Sequence, residues 1–421
     1  VLTDWNLVTE NAMLNFMEKE MKLGLFLYRK FMWNIATHLF NNVYLKPYYN
    51  FYKTRQSDPF PDAPFIVVCN HGTFFDPWII GTYSKTPFAY MTNDDGFRGK
   101  GITPWYLKSI GAFPKKKGAS DFKAMKTTME LLRDNYPVCI FPEGQTTWDG
   151  ETQLIYRGIE KIIKKLEVSV VTIHLQGNFL VKPWWAATKR KGSISVNIKV
   201  IDKETVKTMT TDQIFDIIKT SIYQNDIKDP RNSTIPFRGT MLAEGLERLV
   251  WICMDCGCED SLVTEGDTIT CTSCGKKWSI DAHCKLKSLT PSTASLDDLK
   301  DWSEMHKEKV RSRVLSGASF TTETPAAGLY CENDKKEFDL ICGPGSLSLS
   351  DSELRYCSGG DTKAWPVAVI EDYVVQKKDI FEFRLVDKTW RVVFSARSPM
   401  KWVYYIRYMK NFTTCEAQGH L

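Results

Sequence analysis

A histidine takes a proton from a hydroxyl most readily when a carboxylate holds its other ring nitrogen, because the carboxylate fixes the tautomer and favours the imidazolium that forms. His71 and Asp76 stand five residues apart in the run Ile66-Val-Val-Cys-Asn70-His71-Gly-Thr-Phe-Phe-Asp76-Pro77. The apolar residues before Asn70 read as a buried strand, so both side chains would leave it at its carboxyl end, where open α/β sheets bind ligands. If the chain turns back between them, the pair is a general base; the same spacing also fits a capping Asp beside a structural His. A second polar cluster, Glu143-Gly144, ends the apolar run Cys139-Ile-Phe141-Pro142. Two polar clusters at two strand ends suggest one site, although Glu143 also fits a helix start. Cys69 and Cys139 lie inside the apolar runs and read as core residues. A separate cluster is Cys253-x2-Cys256, fourteen residues, then Cys271-x2-Cys274. Four thiolates at that spacing suit one tetrahedral zinc, and with every position filled by protein the metal is expected to be structural. Cys258, His283 and Cys284 are spare ligand candidates.

The order of these blocks resembles the glycerolipid acyltransferase family of the lysophosphatidate acyltransferase type, whose first block is Asn-His-x4-Asp and whose third is Phe-Pro-Glu-Gly. Here those blocks are Asn70, His71 and Asp76, then Phe141 to Gly144. The second block resembles Gly111-Ala-Phe-Pro114 with Lys115, Lys116 and Lys117 after it, and the fourth resembles Val170 to Gly177. The resemblance covers about Pro61 to Pro183. It implies transfer of a fatty acyl group from acyl-CoA or acyl carrier protein to a lysophospholipid-like alcohol, most of all 1-acyl-sn-glycerol 3-phosphate. His71 would be the base, Asp76 its supporting carboxylate, and no acyl-enzyme would form. Glu143, Gly144, Lys116, Lys117 and Thr146 are carried over as acceptor-binding positions. Two departures bear on the phosphate. The family usually has a basic residue, most often Arg, in the second block and an Arg just after the Glu-Gly of the third; Lys117 fills the first position and Thr146 the second. Lys offers a point charge without Arg's bidentate fork, and Thr offers no charge. Thr172 also stands where the family commonly has Pro. Rival readings are an acceptor without a phosphomonoester and a non-catalytic lipid-binding or scaffold protein.

Elements must bring these residues together. Apolar runs at Pro64 to Cys69, Pro87 to Thr92, Tyr136 to Phe141, Val168 to Leu175 and Ser193 to Val200 read as strands. Helical spacing recurs after Ser120, over Gly158 to Leu166, and from a Thr211 or Asp212 cap to Asn225. This alternation predicts an α/β domain over 61–236 with a mostly parallel sheet flanked by helices. Before it, from Asn11 to about Tyr52, apolar residues crowd a helical wheel, with seven basic residues against one acid between Lys19 and Ser57. That composition fits N-terminal helices (1–60) lying in a membrane interface, or a helix pair packed on its own domain. A zinc ribbon (237–290) and a helical linker (291–316) follow. The β-rich segment 317–421 has strands at Glu337 to Cys342, Ser346 to Leu349, Leu354 to Tyr356, Val367 to Ile370, Tyr373 to Gln376, Phe381 to Val386 and Trp390 to Phe394. With its closing helix, Ser398 to Lys410, it looks like a pleckstrin-homology or GRAM-type barrel, suited to a lipid headgroup or to protein docking.

The 421 residues predict two to four domains. Charges of 55 basic against 50 acidic residues, with acids Asp255, Glu259, Asp260, Glu265 and Asp267 around the knuckles, count against a nucleic-acid partner. No apolar run nears the ~20 residues of a membrane span, and Asp4, Glu10, Glu18 and Glu20 stand where a signal peptide would be apolar. The expected setting is reducing and cytoplasmic, peripheral on the cytosolic face of a membrane.

Overall fold

The computed structural model describes residues 24–98, 101–115, 121–294, 296–386 and 388–410. Its centre is a seven-stranded sheet of β1 (Tyr49–Lys53), β2 (Phe65–Cys69), β3 (Ala89–Asn93), β4 (Phe113–Lys115), β5 (Val138–Ile140), β6 (Ser169–Gln176) and β7 (Gly192–Ile201). In space the order is β1-β7-β6-β2-β5-β3-β4. The five strands from β6 to β4 are parallel; β7 runs antiparallel to β6 and carries β1 parallel to itself. The α/β class and the largely parallel sheet are as expected.

Every residue of β2 is buried, because both faces of this central strand are covered. Ile66 and Val68 pack under α2 (Phe122–Arg133), α3 (Ile159–Leu166) and α4 (Thr211–Ile222), while α1 (Asp76–Gly81) lies on the opposite face with Phe65 and Val67. Asp121 caps α2 by accepting from Ala124 N. Thr210, rather than Thr211 or Asp212, caps α4, in a reciprocal box with Gln213.

The chain is helical over 24–45, and β1 follows. The expected helical region up to residue 60 is therefore shorter, and the sheet begins before residue 61. Tyr49 and Phe51 point into the core while Asn50 and Tyr52 point out, a period of two that a helical wheel over this stretch obscures. Residues 1–23 of that expectation lie outside the described residues. Among the described residues no helix is long and apolar enough to cross a membrane.

Beyond the sheet, β8 (Leu262–Glu265), β9 (Thr268–Cys271), β10 (Lys277–Ile280) and β11 (Leu286–Ser288) form a small antiparallel sheet around the cysteine knuckles. Helix α5 (Leu299–Leu315), capped by Asp298, leads to nine strands in two antiparallel sheets and a closing helix α6 (Met400–Met409). One sheet has β12 (Thr321–Ala326), β15 (Gly345–Ser350), β16 (Glu353–Ser358) and β17 (Asp361–Pro366). The other has β14 (Phe338–Cys342), β13 (Gly328–Glu332), β20 (Thr389–Val393), β19 (Ile380–Arg384) and β18 (Asp372–Gln376). The strand expected at Val367 to Ile370 is a 3-10 turn, Val367–Val369, because β17 ends at Pro366 and the chain must change sheets there.

These units share one core. The cluster of buried side chains that includes Val67 and Trp33 runs on through Trp251, Trp278 and Trp302 to Phe381 and Tyr405. Polar contacts pin the β-rich module to the α/β domain: Arg391 to Asp95 at 2.7 Å, Arg98 to Glu332 at 3.1 Å, and Asn93 to Gln376 at 2.8 Å. The module is thus docked on its own chain.

Candidate active site and metal centre

Parallel neighbours β6, β2 and β5 all end at the same rim of the sheet, so the segments that leave them meet there. β2 delivers Asn70 and His71, β5 delivers Phe141 to Gly144, and β6 delivers Gly177 and Asn178. Asn70 ties two of these exits together, donating to Leu175 O and accepting from Leu175 N, both at 2.8 Å.

After His71 the chain turns back into α1, and Asp76 Oδ2 comes to 2.9 Å from His71 Nδ1. The same oxygen accepts from Gly72 N at 2.8 Å and Thr73 N at 3.0 Å; Oδ1 accepts from Asn178 Nδ2 at 3.1 Å. Four donors converge on one fully buried carboxylate. Asp76 thus both caps the turn and holds the imidazole. Nδ1 donates to Asp76, which leaves Nε2 as the basic nitrogen of a ring still 18% exposed. That ring stacks on Phe141 with centroids 4.3 Å apart. Gly72 is required by proximity, since a Cβ there would come within 2.6 Å of the Asn178 amide.

Glu143 opens no helix, and it lines a small recess together with Asn70, His71 and Gly72. It is buried behind the histidine, with Oε1 accepting from His71 N and Oε2 from Gln153 N, each at 2.6 Å. Burial raises its pKa to about 8, outweighing the two N–H bonds that favour the charged form. Its place follows from β5, which ends one residue before Phe141 and turns the next side chains inward. Gly144 has φ of +70°, a left-handed turn beside the Tyr156 ring, and Thr146 is buried in the same loop. Both Glu143 and Thr146 are thus held inside the loop that packs on His71. Lys116 and Lys117 lie outside the described residues. Lys115 closes β4 with Nζ 5.7 Å from the Tyr156 ring, and burial lowers its pKa.

Two supporting residues escaped the sequence reading. Asn178 orients Asp76, and Asp226 brackets Asn178 by accepting from Gly177 N at 2.7 Å and Phe179 N at 2.9 Å. Burial raises Asp226 to about 6. The Gly-Asn pair after β6 was the available signal, since both residue types favour the turn that ends the strand at this rim. Nothing in the spacing marks Asp226.

Cys253, Cys256, Cys271 and Cys274 bring four sulfurs within 4.8 Å of one another. Cys253 to Cys274 and Cys256 to Cys271 are each 3.8 Å. A tetrahedron with Zn–S bonds of about 2.3 Å has edges of about 3.8 Å, so the donor set fits that ion. Of the spare candidates, Cys284 contacts Arg190 and His283 contacts Ile235 O, away from the cluster.

Known proteins match this part of the chain. The acyltransferase family model covers residues 51–176. A chloroplast 1-acyl-sn-glycerol-3-phosphate acyltransferase of Arabidopsis thaliana is 27% identical over 159 residues, 37% of this chain and 44% of that protein. One from Chlamydomonas reinhardtii is 26% identical over 196 residues, 45% of this chain and 58% of that protein. The chain thus spans about half the length of these relatives. The crystal structure of a 1-acyl-sn-glycerophosphate acyltransferase from Thermotoga maritima is 21% identical, covering 48% of this chain and 80% of that one at a TM-score of 0.37.

Proposed function

We propose that this protein transfers a fatty acyl group from a thioester, acyl-CoA or acyl carrier protein, to the hydroxyl of a lysophospholipid-like acceptor, in the first place 1-acyl-sn-glycerol 3-phosphate. The observation that carries the reading is the 2.9 Å contact between His71 Nδ1 and Asp76 at the carboxyl ends of parallel strands, inside the segment matched by the acyltransferase model. The relatives' names supply the acceptor class.

His71 Nε2 takes the acceptor's hydroxyl proton as the oxygen attacks the thioester carbon. Asp76 stabilises the imidazolium. The C–S bond then breaks, the proton passes to the departing sulfur, and an ester and a thiol result. A thiolate leaves easily, so no covalent acyl-enzyme is needed.

Docking on a membrane surface belongs to the same reading. Leu25, Leu27, Phe31, Leu39 and Val43 are exposed along the helical segment 24–45, as are Phe74 in the turn after His71 and Ile102 and Trp105 in the helix that carries Tyr106. An apolar cleft of about 560 Å³ between that segment and Trp78 and Tyr106 begins two residues past Asp76. Such a surface suits a protein that meets its acceptor in a bilayer interface. The cysteine quartet is read as a structural zinc site on the sulfur spacing above.

The deciding experiment offers labelled acyl-CoA with a panel of lysolipids that do and do not carry a phosphomonoester, and identifies products by mass. Acylated 1-acylglycerol 3-phosphate is the expected product. Reaction only of acceptors without phosphate rejects the named acceptor, and no thiol release with any acceptor rejects the enzyme.

A further inference from the structure

The loop 143–153 clasps His71 by its backbone. Glu143 accepts from His71 N, and Thr147 N donates to His71 O at 2.9 Å. Cross-links close the loop on itself: Gln153 N to Glu143 at 2.6 Å, Thr147 Oγ1 to Glu151 O at 2.6 Å, and Gln153 Nε2 to Thr147 Oγ1 at 3.2 Å. The backbone that carries the imidazole is therefore tied to this loop, while Asp76 holds the ring.

The far end of the loop is tied to 224–226, with Thr152 N donating to Gln224 O and Asp226 N to Gly150 O, both at 2.8 Å, and its centre is held from about 150 residues further along. Asp149, buried at its centre, accepts at Oδ2 from Lys300 Nζ at 2.9 Å, Lys307 Nζ at 3.0 Å and Ser303 Oγ at 3.1 Å. Lys300 also reaches Glu151 at 2.6 Å. Residues 300, 303 and 307 share one face of α5. Burial by itself would raise the carboxyl of Asp149, yet Lys307 and Lys300 bring it below its ordinary value. Helix α5 is itself anchored, since Trp302 Nε1 donates to Ile252 O at 3.0 Å and His306 Nε2 meets the same carbonyl at 2.9 Å. Ordinary helix packing against a loop needs no two ammoniums on one carboxylate, and desolvating three charges for stability alone is a poor exchange. The gain is a single geometry for the loop.

We propose that Lys300 and Lys307 of α5 are positioning residues for His71, acting through Asp149 and the loop 143–153, so that a helix outside the matched acyltransferase segment sets the geometry of the base. The kinetic consequence rests on the acyltransferase reading; the structural coupling does not.

The test compares the full chain with Lys307→Gln, Lys307→Arg and the milder Ser303→Ala, which removes a hydrogen bond without unpairing a charge. Two readouts are taken: steady-state acyl transfer, and hydrogen exchange of peptides covering 65–80 and 141–155. Lys307→Gln is expected to lower kcat roughly tenfold or more with KM within about twofold, since small misplacement of a base costs rate before binding. It also speeds exchange in those two peptides and leaves β12 to β20 unchanged. Lys307→Arg restores both, and Ser303→Ala shows the same pattern more weakly. The proposal is overturned if exchange at His71 is unaffected, if kcat is unchanged while exchange rises, or if exchange rises throughout the chain. If the wild-type protein has no turnover, the acyltransferase reading fails, and local exchange alone decides the coupling.

Discussion

The imidazole proposed as the base is 18% exposed, and Asp76 fixes its tautomer with one oxygen shared among His71 and two backbone N–H groups. His71→Ala should abolish thiol release with the melting temperature close to wild type. Asp76→Asn keeps the shape but offers one oxygen where four donors converge, so kcat should fall by about 10²–10⁴. Near-wild-type kcat in either variant would reject the pair. Glu143 gives a pH prediction. Its folded pKa, about 8, lies above the ordinary carboxylate value, so the native state binds this proton more tightly than the unfolded chain. The contribution is complete below about pH 4.5 and is lost as pH rises towards 8. Glu143→Gln cannot titrate, so the stability of wild type relative to this variant should decline over that interval. Denaturant melts of both proteins at several pH values check the slope; a flat difference rejects it. At this scale the contact of His71 with Asp76 was legible because a turn after a buried strand brings residues five apart together. The sequence did not reveal that Glu143 accepts from two buried backbone amides, because a carboxylate next to a glycine looks the same whether or not amides face it.

Strands and helices of the matched segment were legible where periodicity was unmixed. The apolar run Phe65 to Cys69 is a strand buried on both faces, and the 3-4 spacing from Phe122 to Leu132 marked a helix although the buried side of α2 is Ala124, Thr128 and Leu132, with Phe122 exposed. β1 was hidden because aromatic residues continue across the end of the helix into the strand. The three residues of β4 carry too little pattern to read. Capping is the locally testable feature: Thr210→Ala removes the box that opens α4 and should cost ~1 kcal/mol in denaturant melts without changing KM. A change in KM would mean that α4 reaches the site by a route other than the core it shares with Ile66 and Val68.

Across the whole molecule, the cysteine quartet was the clearest part of the sequence beyond the α/β domain, since metal geometry admits few spacings. The docking of the β-rich module was not legible, because Asp95, Arg98, Glu332 and Arg391 are ordinary surface charges until the fold pairs them. One zinc per chain is expected by elemental analysis, and Cys271→Ser should lose it. Because Ile252, next to Cys253, carries the anchor of α5, metal removal should also quicken exchange in the loop 143–153; a metal-free protein with wild-type exchange there would separate the two. The strand order has a practical outcome for anyone trimming this protein. The match to the family model stops with β6, yet β7 is what β6 leans on at one side and what β1 pairs with. A fragment ended at residue 176 would bare an apolar rim and orphan its first strand, inviting self-association; the shortest piece worth purifying must carry the chain past residue 201.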